Sequence, residues 1–299
     1  MITVLWVMTV GSIIAVAASL SGRTTFNGAR NRVQSERALW TALGCARHMQ
    51  AMIDDLLHGA PTLDGSALIW RTLDRQTRAA APPIDSACRV ELEAAGTKLD
   101  VNAASGEMLT TLLRGLGESD GSAMALAAAL EDWRDTDNVA VPAGAERDWY
   151  HAAQRVEPRN APLADIRELG LVRGFEDLSR FDSVLTTEPG RVSLATAPIT
   201  VLLAVPGFTR ETAELIATLH DAGTPLRDPA SIIGQLSTES VDAMIAHYPE
   251  ITRLTTADPD AWIVTTSVSN GVPATTDVLR WRLARAGRRC VVVRTVTLI

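Results

Sequence analysis

The sequence predicts an α+β protein built along one long N-terminal helix that begins in a membrane, with an antiparallel sheet beside it and a large all-α insertion. Three observations carry that prediction. Residues 1–22 contain no charged side chain and are rich in Val, Ile, Leu, Ala, Met and Trp; at about 1.5 Å per residue they are long enough to cross a bilayer core of roughly 30 Å. Strand-like alternation occurs around Val90 and again after Asp258. Between the two, from about Leu99 to Ile251, apolar residues recur at helical spacing instead.

The N-terminal helix is expected to continue past the membrane. From Arg23 to Leu57 there is no Pro, and Leu39, Leu43, Ala46, Ile53 and Leu57 recur near helical spacing. About 55 residues of helix would span ~80 Å. A cleaved signal peptide is the alternative, because Ala15, Ala17 and Ala18 form an A-x-A-like site after a short apolar core. Retention is favoured because no basic stretch precedes the apolar run and because helix follows it.

Gly59, Pro61, Gly65 and Ser66 break the helix, Ser66 to Arg71 reads as a short strand, and Ala79 to Pro83 as a turn or loop. Cys88, Val90, Leu92 and Ala94 then alternate with Arg89, Glu91 and Glu93, the period of a half-buried strand. In the insertion, placed at residues 99–257, two helical hairpins are expected, at about 99–190 and 191–257. The first has Leu109, Leu112 and Leu113 on one helix, the turn Gly115-Leu116-Gly117, and Leu126, Leu130 and Trp133 on the next. The second runs from Leu194-Ala195-Thr196-Ala197-Pro198 through Val201, Leu202 and Val205 to the turn Pro206-Gly207-Phe208, then Leu215, Ile216 and Leu219. Thr196 is the expected N-cap, Pro198 is tolerated in a first turn, and the glycines suit tight connections of positive φ. Such hairpins are those of helix-hairpin-helix and SAM-like folds. Residues 258–299 return to strands: Trp262, Val264, Thr266 and Val268 alternate, Asn270-Gly271 marks a turn, Leu279, Trp281 and Leu283 alternate, and Cys290 to Ile299 is dense in Val. They are expected to complete the sheet begun by residues 23–98.

The composition is that of a globular chain, 46% hydrophobic and 21% charged, and a net charge of −7 argues against a nucleic-acid surface. The three cysteines, Cys45, Cys88 and Cys290, show no C-x-x-C pairing, which argues against a zinc ribbon or thioredoxin-like site. In an oxidising compartment Cys88 and Cys290 could form a disulfide, since both lie in strand-like runs; unpaired buried thiols are the alternative.

Several blocks, in this order and spacing, resemble the minor pseudopilin K family of the bacterial type II secretion system. They are Ile2-Thr3-Val4-Leu5; Ala38-Leu39-Trp40 with Ala42-Leu43-Gly44; and Leu99-Asp100-Val101-Asn102-Ala103-Ala104. The most specific are Asp132-Trp133-Arg134-Asp135-Thr136-Asp137 and Gly144-Ala145-Glu146-Arg147-Asp148-Trp149-Tyr150, followed by Asn160-Ala161-Pro162-Leu163 and Leu171-Val172-Arg173-Gly174. The resemblance implies a pilin-like domain of long helix plus antiparallel sheet with an inserted α-helical domain. It implies a single-pass inner-membrane protein with its bulk in the periplasm, acting at the tip of a pseudopilus to initiate or cap assembly. The implied partners are the other minor pseudopilins, the major pseudopilin, the inner-membrane assembly platform and secreted substrates. Such proteins are made with a short basic leader removed by a prepilin peptidase, so the chain beginning at Met1 is expected to be either the processed form or the product of a start codon placed too late. Most pilin-type subunits carry glutamate as the fifth mature residue; in this chain that position falls at Thr3 or Leu5, and subunit K commonly lacks the acid.

Two sets of residues are singled out for function. Asp132, Asp135, Asp137, Glu146 and Asp148 form the dense carboxylate cluster, and hard oxygen ligands converging from a loop would suit Ca²⁺. The spacing is not that of an EF-hand, and a solvated acidic loop capping the helix that ends near Trp133 is the alternative. Leu39, Leu43 and Ile53 are the expected assembly surface. No cofactor is required by any motif: His48, His58, His151, His220 and His247 are dispersed, and there is no G-x-S-x-G elbow or phosphate-binding glycine loop, so no enzyme is expected. A membrane-tethered helix-hairpin-helix DNA-uptake protein is the runner-up. It is disfavoured because Glu118 and Asp120 follow the first hairpin turn and the second offers only Arg210.

Overall fold

A computed structural model describes residues 2–59, 88–222, 224, 226, 228–257, 259, 261–270 and 275–298. The strand expected at Ser66 to Arg71, the loop at Ala79 to Pro83 and Gly271 of the expected turn lie outside these residues. The chain divides into two compact units, one of Met1–His58, Asp74–Leu92 and Ile263–Ile299, the other containing Glu93–Trp262.

In the first unit, helix α1 (Ile2–Gly59) is followed by β1 (Cys88–Ala94), β6 (Ala261–Asn270), β7 (Thr275–Ala286) and β8 (Arg289–Leu298). The sheet order is β1-β6-β7-β8, with β7 and β8 antiparallel. Small and apolar residues of α1, among them Ala38, Ala42, Ala46, Met49 and Leu57, are buried, as are Leu279, Trp281 and Leu283 on one face of β7. Polar contacts lock the helix to the sheet. The Thr266 hydroxyl donates to the Ala42 carbonyl at 3.2 Å, and Asp54 accepts the Cys290 amide at 2.6 Å. Within α1 is the one stretch, among the described residues, long and apolar enough to cross a membrane, and its apolar window is exposed.

The disulfide differs from expectation: Cys45 is bonded to Cys88, with Cα atoms 6.9 Å apart, and Cys290 is a free buried thiol. Cys88 opens β1 at one sheet edge, whereas Cys290 lies on β8 at the other, three strand spacings or roughly 14 Å across. That distance is beyond the reach of a disulfide. Alternation showed that both cysteines lie in strands, but not the order of those strands.

The second unit contains β2 (Leu99–Asp100), α2 (Gly106–Gly115), α3 (Asp120–Arg134), α4 (Arg147–Ala152), β3 (Leu185–Thr186), β4 (Val192–Ser193), α5 (Ile199–Leu202), α6 (Arg210–Ala222), α7 (Thr238–Ala246), α8 (Tyr248–Leu254) and β5 (Thr255–Thr256). Ser105 and Ser119 cap α2 and α3, and Gly117, at φ +92°, makes the turn between them. One hydrophobic core extends from Leu99 to Ile251, so the two expected hairpins share an interior rather than standing as separate repeats. Two short parallel ladders, β2 with β3 and β4 with β5, tie distant segments together. Thr196 is not a cap: Pro198 holds the N-cap position of α5, and the Thr196 hydroxyl instead accepts from Thr97 at 2.9 Å.

Candidate functional site

The carboxylate cluster forms where α3 ends and the chain returns to α4. Asp132 lies in the last turn of α3 and is fully buried; its Oδ1 accepts the Val141 amide at 3.0 Å. Asp135 follows as the C-cap residue, and Glu146 is the N-cap of α4, 6% exposed, its Oε2 accepting the Arg147 amide at 3.3 Å. One carboxylate oxygen from each of Asp132, Asp135 and Glu146 lies within 4.8 Å of the others. Asp132 Oδ2 and Glu146 Oε1 are shielded from solvent and have no hydrogen-bond partner. Two orphaned anionic acceptors beside a third carboxylate fit a hard cation, because leaving such groups buried and unpaired is costly.

Burial raises the pKa of both Asp132 and Glu146 above the usual carboxylate range, and the charges of Asp132, Asp135 and Asp137 add to the rise at Glu146. Asp137 and Asp148, also expected as ligands from sequence, lie outside this group and are exposed. Asp137 shapes the loop instead, its Oδ1 accepting the Val139 amide at 2.8 Å. A Cβ at Gly144 would stand 2.8 Å from Asp132 Cγ, so the loop can close on the carboxylate only with glycine there.

The motif residues around the cluster hold it in place. Arg134 donates to the carbonyls of Val101 and Ala104. Asn102 and Leu163 exchange two hydrogen bonds, at 3.0 and 2.8 Å, and the Asn160 amide donates to the Trp133 carbonyl at 3.1 Å. Tyr150, buried against Trp133 with ring centroids 5.3 Å apart, accepts the Arg173 amide, while the Arg173 guanidinium donates to the Gly144 carbonyl at 3.1 Å.

On α1, Leu39 and Leu43 are half-buried, but Ile53 is fully buried within the chain and is not available to a neighbouring subunit. Burial is a property of the folded unit that helical periodicity alone does not assign. Sequence reasoning missed Phe26, Val33 and Trp40, which are 69%, 52% and 70% exposed and recur every seventh residue along one face of α1. That repeat was legible in the sequence; the neighbouring stripe of Leu39, Leu43 and Ile53 obscured it. At the first hairpin turn the amides of Gly117 and Glu118 donate to the Arg114 and Leu113 carbonyls rather than pointing free. A Cβ at Gly207 would stand 2.7 Å from the His247 Cβ, so this turn is packed, and Glu118 beside the other turn pairs with Arg180 at 2.5 Å.

A long apolar helix running into an antiparallel sheet, with a compact helical unit between β1 and β6 in sequence, is the expected pilin-like fold with an inserted α domain. Residues 88–180 match the family model for type II secretion system (T2SS), protein K. This segment includes the carboxylate cluster and the motifs that brace it, and it bears out the resemblance to minor pseudopilin K. The fold is similar to a chain of the crystal structure of the GspK-GspI-GspJ complex from the enterotoxigenic Escherichia coli type 2 secretion system. The two are 15% identical with a TM-score of 0.64, over 90% of this chain and 99% of that one. No curated protein matches the chain.

Proposed function

We propose that this protein acts at the tip of a type II secretion pseudopilus, initiating or capping its assembly, as a structural component rather than an enzyme. The observation that carries this reading is the bulk of the α unit, Glu93–Trp262. A helical filament of packed α1-type helices repeats at an axial rise of roughly 10 Å, near the width of one helix. So large an insertion would collide with its copies at that repeat, whereas a tip subunit has none above it. No acidic residue precedes Glu36, so a charged pairing inside the membrane half of the helix, of the kind a shaft subunit uses, has no source of negative charge in this chain.

The likeness to a chain of a GspK-GspI-GspJ complex supports assembly with two further minor pseudopilins; the exposed Phe26, Val33 and Trp40 are the face we assign to that contact, and the apolar start of α1 the single inner-membrane anchor that leaves the bulk in the periplasm. Calcium held by Asp132, Asp135 and Glu146 would brace the α unit. Immunogold label on cells overproducing the major pseudopilin tests the tip assignment: label at filament ends is expected, and even label along the shafts would refute it. The DNA-uptake alternative has no observation in its favour.

A further inference from the structure

Helix α1 carries a second repeat beside its exposed apolar one. Arg23, Arg30 and Arg37 recur every seventh residue, and Arg30 and Arg37 stand between Phe26, Val33 and Trp40. Residues 26, 30, 33, 37 and 40 thus follow the alternating four-and-three spacing of a coiled-coil seam, with apolar and arginine positions in turn. All five are exposed, and Phe26, Ala29, Arg30, Val33, Gln34 and Arg37 line one shallow groove. The seam lies on the far side of the helix from the buried Ala42 and Ala46. The residues three and four positions from Arg30, namely Phe26, Asn27, Val33 and Gln34, are uncharged, and so are Val33, Gln34, Trp40 and Thr41 around Arg37. Glu36 is the nearest acid in sequence; it directly precedes Arg37 and points about 100° away round the helix. Arg47, the seam position after Gly44, is used by the chain itself: it donates to the Gln50 side chain at 2.8 Å and lies over the Trp281 ring, 4.8 Å from its centroid. Among the described residues the Arg30 and Arg37 guanidinium groups have no such partner.

We propose, resting on the assignment of this face to the subunit contact, that the seam receives a helix of a partner pseudopilin with two carboxylates seven residues apart, one on Arg30 and one on Arg37. Apolar residues of the same helix pack on Phe26, Val33 and Trp40. Guanidinium forks match carboxylates bidentately. Arginines drawn into a helix seam lose water, and a facing carboxylate is the group that compensates. The apolar positions supply contact area, whereas the arginines select the partner and fix its register. A second copy of this chain in parallel register is rejected, because it would set Arg30 against Arg30 and Arg37 against Arg37. Anionic lipid is disfavoured by distance: Arg37 lies about 22 Å along the helix beyond Gly22, well past a Debye length of ~8 Å from the headgroups.

The test co-expresses the full-length protein with the other minor pseudopilins of its secretion system and measures their recovery from detergent extracts. The combined Arg30→Glu and Arg37→Glu variant should lower partner recovery at least about tenfold with an unchanged melting temperature, whereas Arg30→Lys with Arg37→Lys should retain the partner. In the complex of that second variant, a carbodiimide should join the amine introduced by Arg37→Lys to an aspartate or glutamate of the partner helix, located by mass spectrometry. Should the charge-reversed variant melt early, this cross-link decides. Undiminished recovery after charge reversal, or a stable complex without the cross-link, overturns the proposal and leaves the subunit contact standing. Failure of the unmutated protein to recover any partner pseudopilin overturns the contact and the proposal with it. Loss of bound phosphatidylglycerol, with the partner retained, on charge reversal overturns the proposal as well.

Discussion

Cys45 in the soluble half of α1 is disulfide-bonded to Cys88 at the first residue of β1, joining positions 43 residues apart in sequence. The bond fixes a sheet edge to the helix that begins with the uncharged apolar stretch. Closing a loop of this length in the unfolded chain is worth about 4 kcal/mol by chain entropy. Cys45→Ser and Cys88→Ser should each lower stability by a similar amount, and combining them should add nothing further. Non-reducing peptide mapping should return the Cys45–Cys88 pair; recovery of Cys88 linked to Cys290 would overturn the assignment.

Cys290 should behave as an inert thiol. Burial, with Asp54 adding, pushes its pKa up to about 12, so almost no thiolate exists at neutral pH. Maleimide should leave it unlabelled in the native protein and label it fully after denaturation. Rapid native labelling would mean that β8 opens away from α1.

Trp40 should matter for assembly and not for folding. It is 70% exposed on the stripe it shares with Phe26 and Val33. Exposed aromatics of this kind are typical anchors, with losses on truncation of roughly 2 kcal/mol or more. Trp40→Asp should leave the melting temperature nearly unchanged and reduce co-purification with the partner pseudopilins. A lower melting temperature with co-purification intact would place Trp40 in the fold instead.

What could be read from the sequence depended on whether a signal was local. The uncharged run of residues 1–22, the alternation of Trp281 with its neighbours and the turn at Gly115-Leu116-Gly117 each follow from sequence over a few positions. The pairing of Cys45 with Cys88 depends on strand order, which periodicity does not encode. The carboxylate cluster was legible as composition but not as geometry. Asp137 and Asp148 are the same residue type as Asp132, and only the turn at Gly144 and the capping position of Glu146 separate those that converge from those that remain in solvent. The β2–β3 and β4–β5 ladders left no trace, because two residues are too few to show a period.

The buried carboxylates make the last prediction one of sign. Because Asp132 and Glu146 have raised pKa values, the calcium-free folded state retains protons that the unfolded chain would release. Their contribution to stability is therefore present below the ordinary carboxylate range and is lost as pH rises through the raised folded values. In chelator, Asp132→Asn should match the unmutated protein near pH 4 and be the more stable of the two near pH 7. The asparagine amide can also donate towards the orphaned Glu146 Oε1. Calcium should invert that order, because it is bound by ionised carboxylates and its binding strengthens as protons leave. At a hundredfold excess over its dissociation constant it should stabilise the unmutated protein by about 2.7 kcal/mol, and leave Asp132→Asn nearly unmoved. Gly144→Ala should weaken the response by pressing on Asp132, whereas Asp137→Ala and Asp148→Ala should preserve it. An unmutated protein whose melting temperature ignores millimolar calcium would leave the cluster as a loop cap only. Loss of the response in Asp137→Ala would move the ligand set out along the loop.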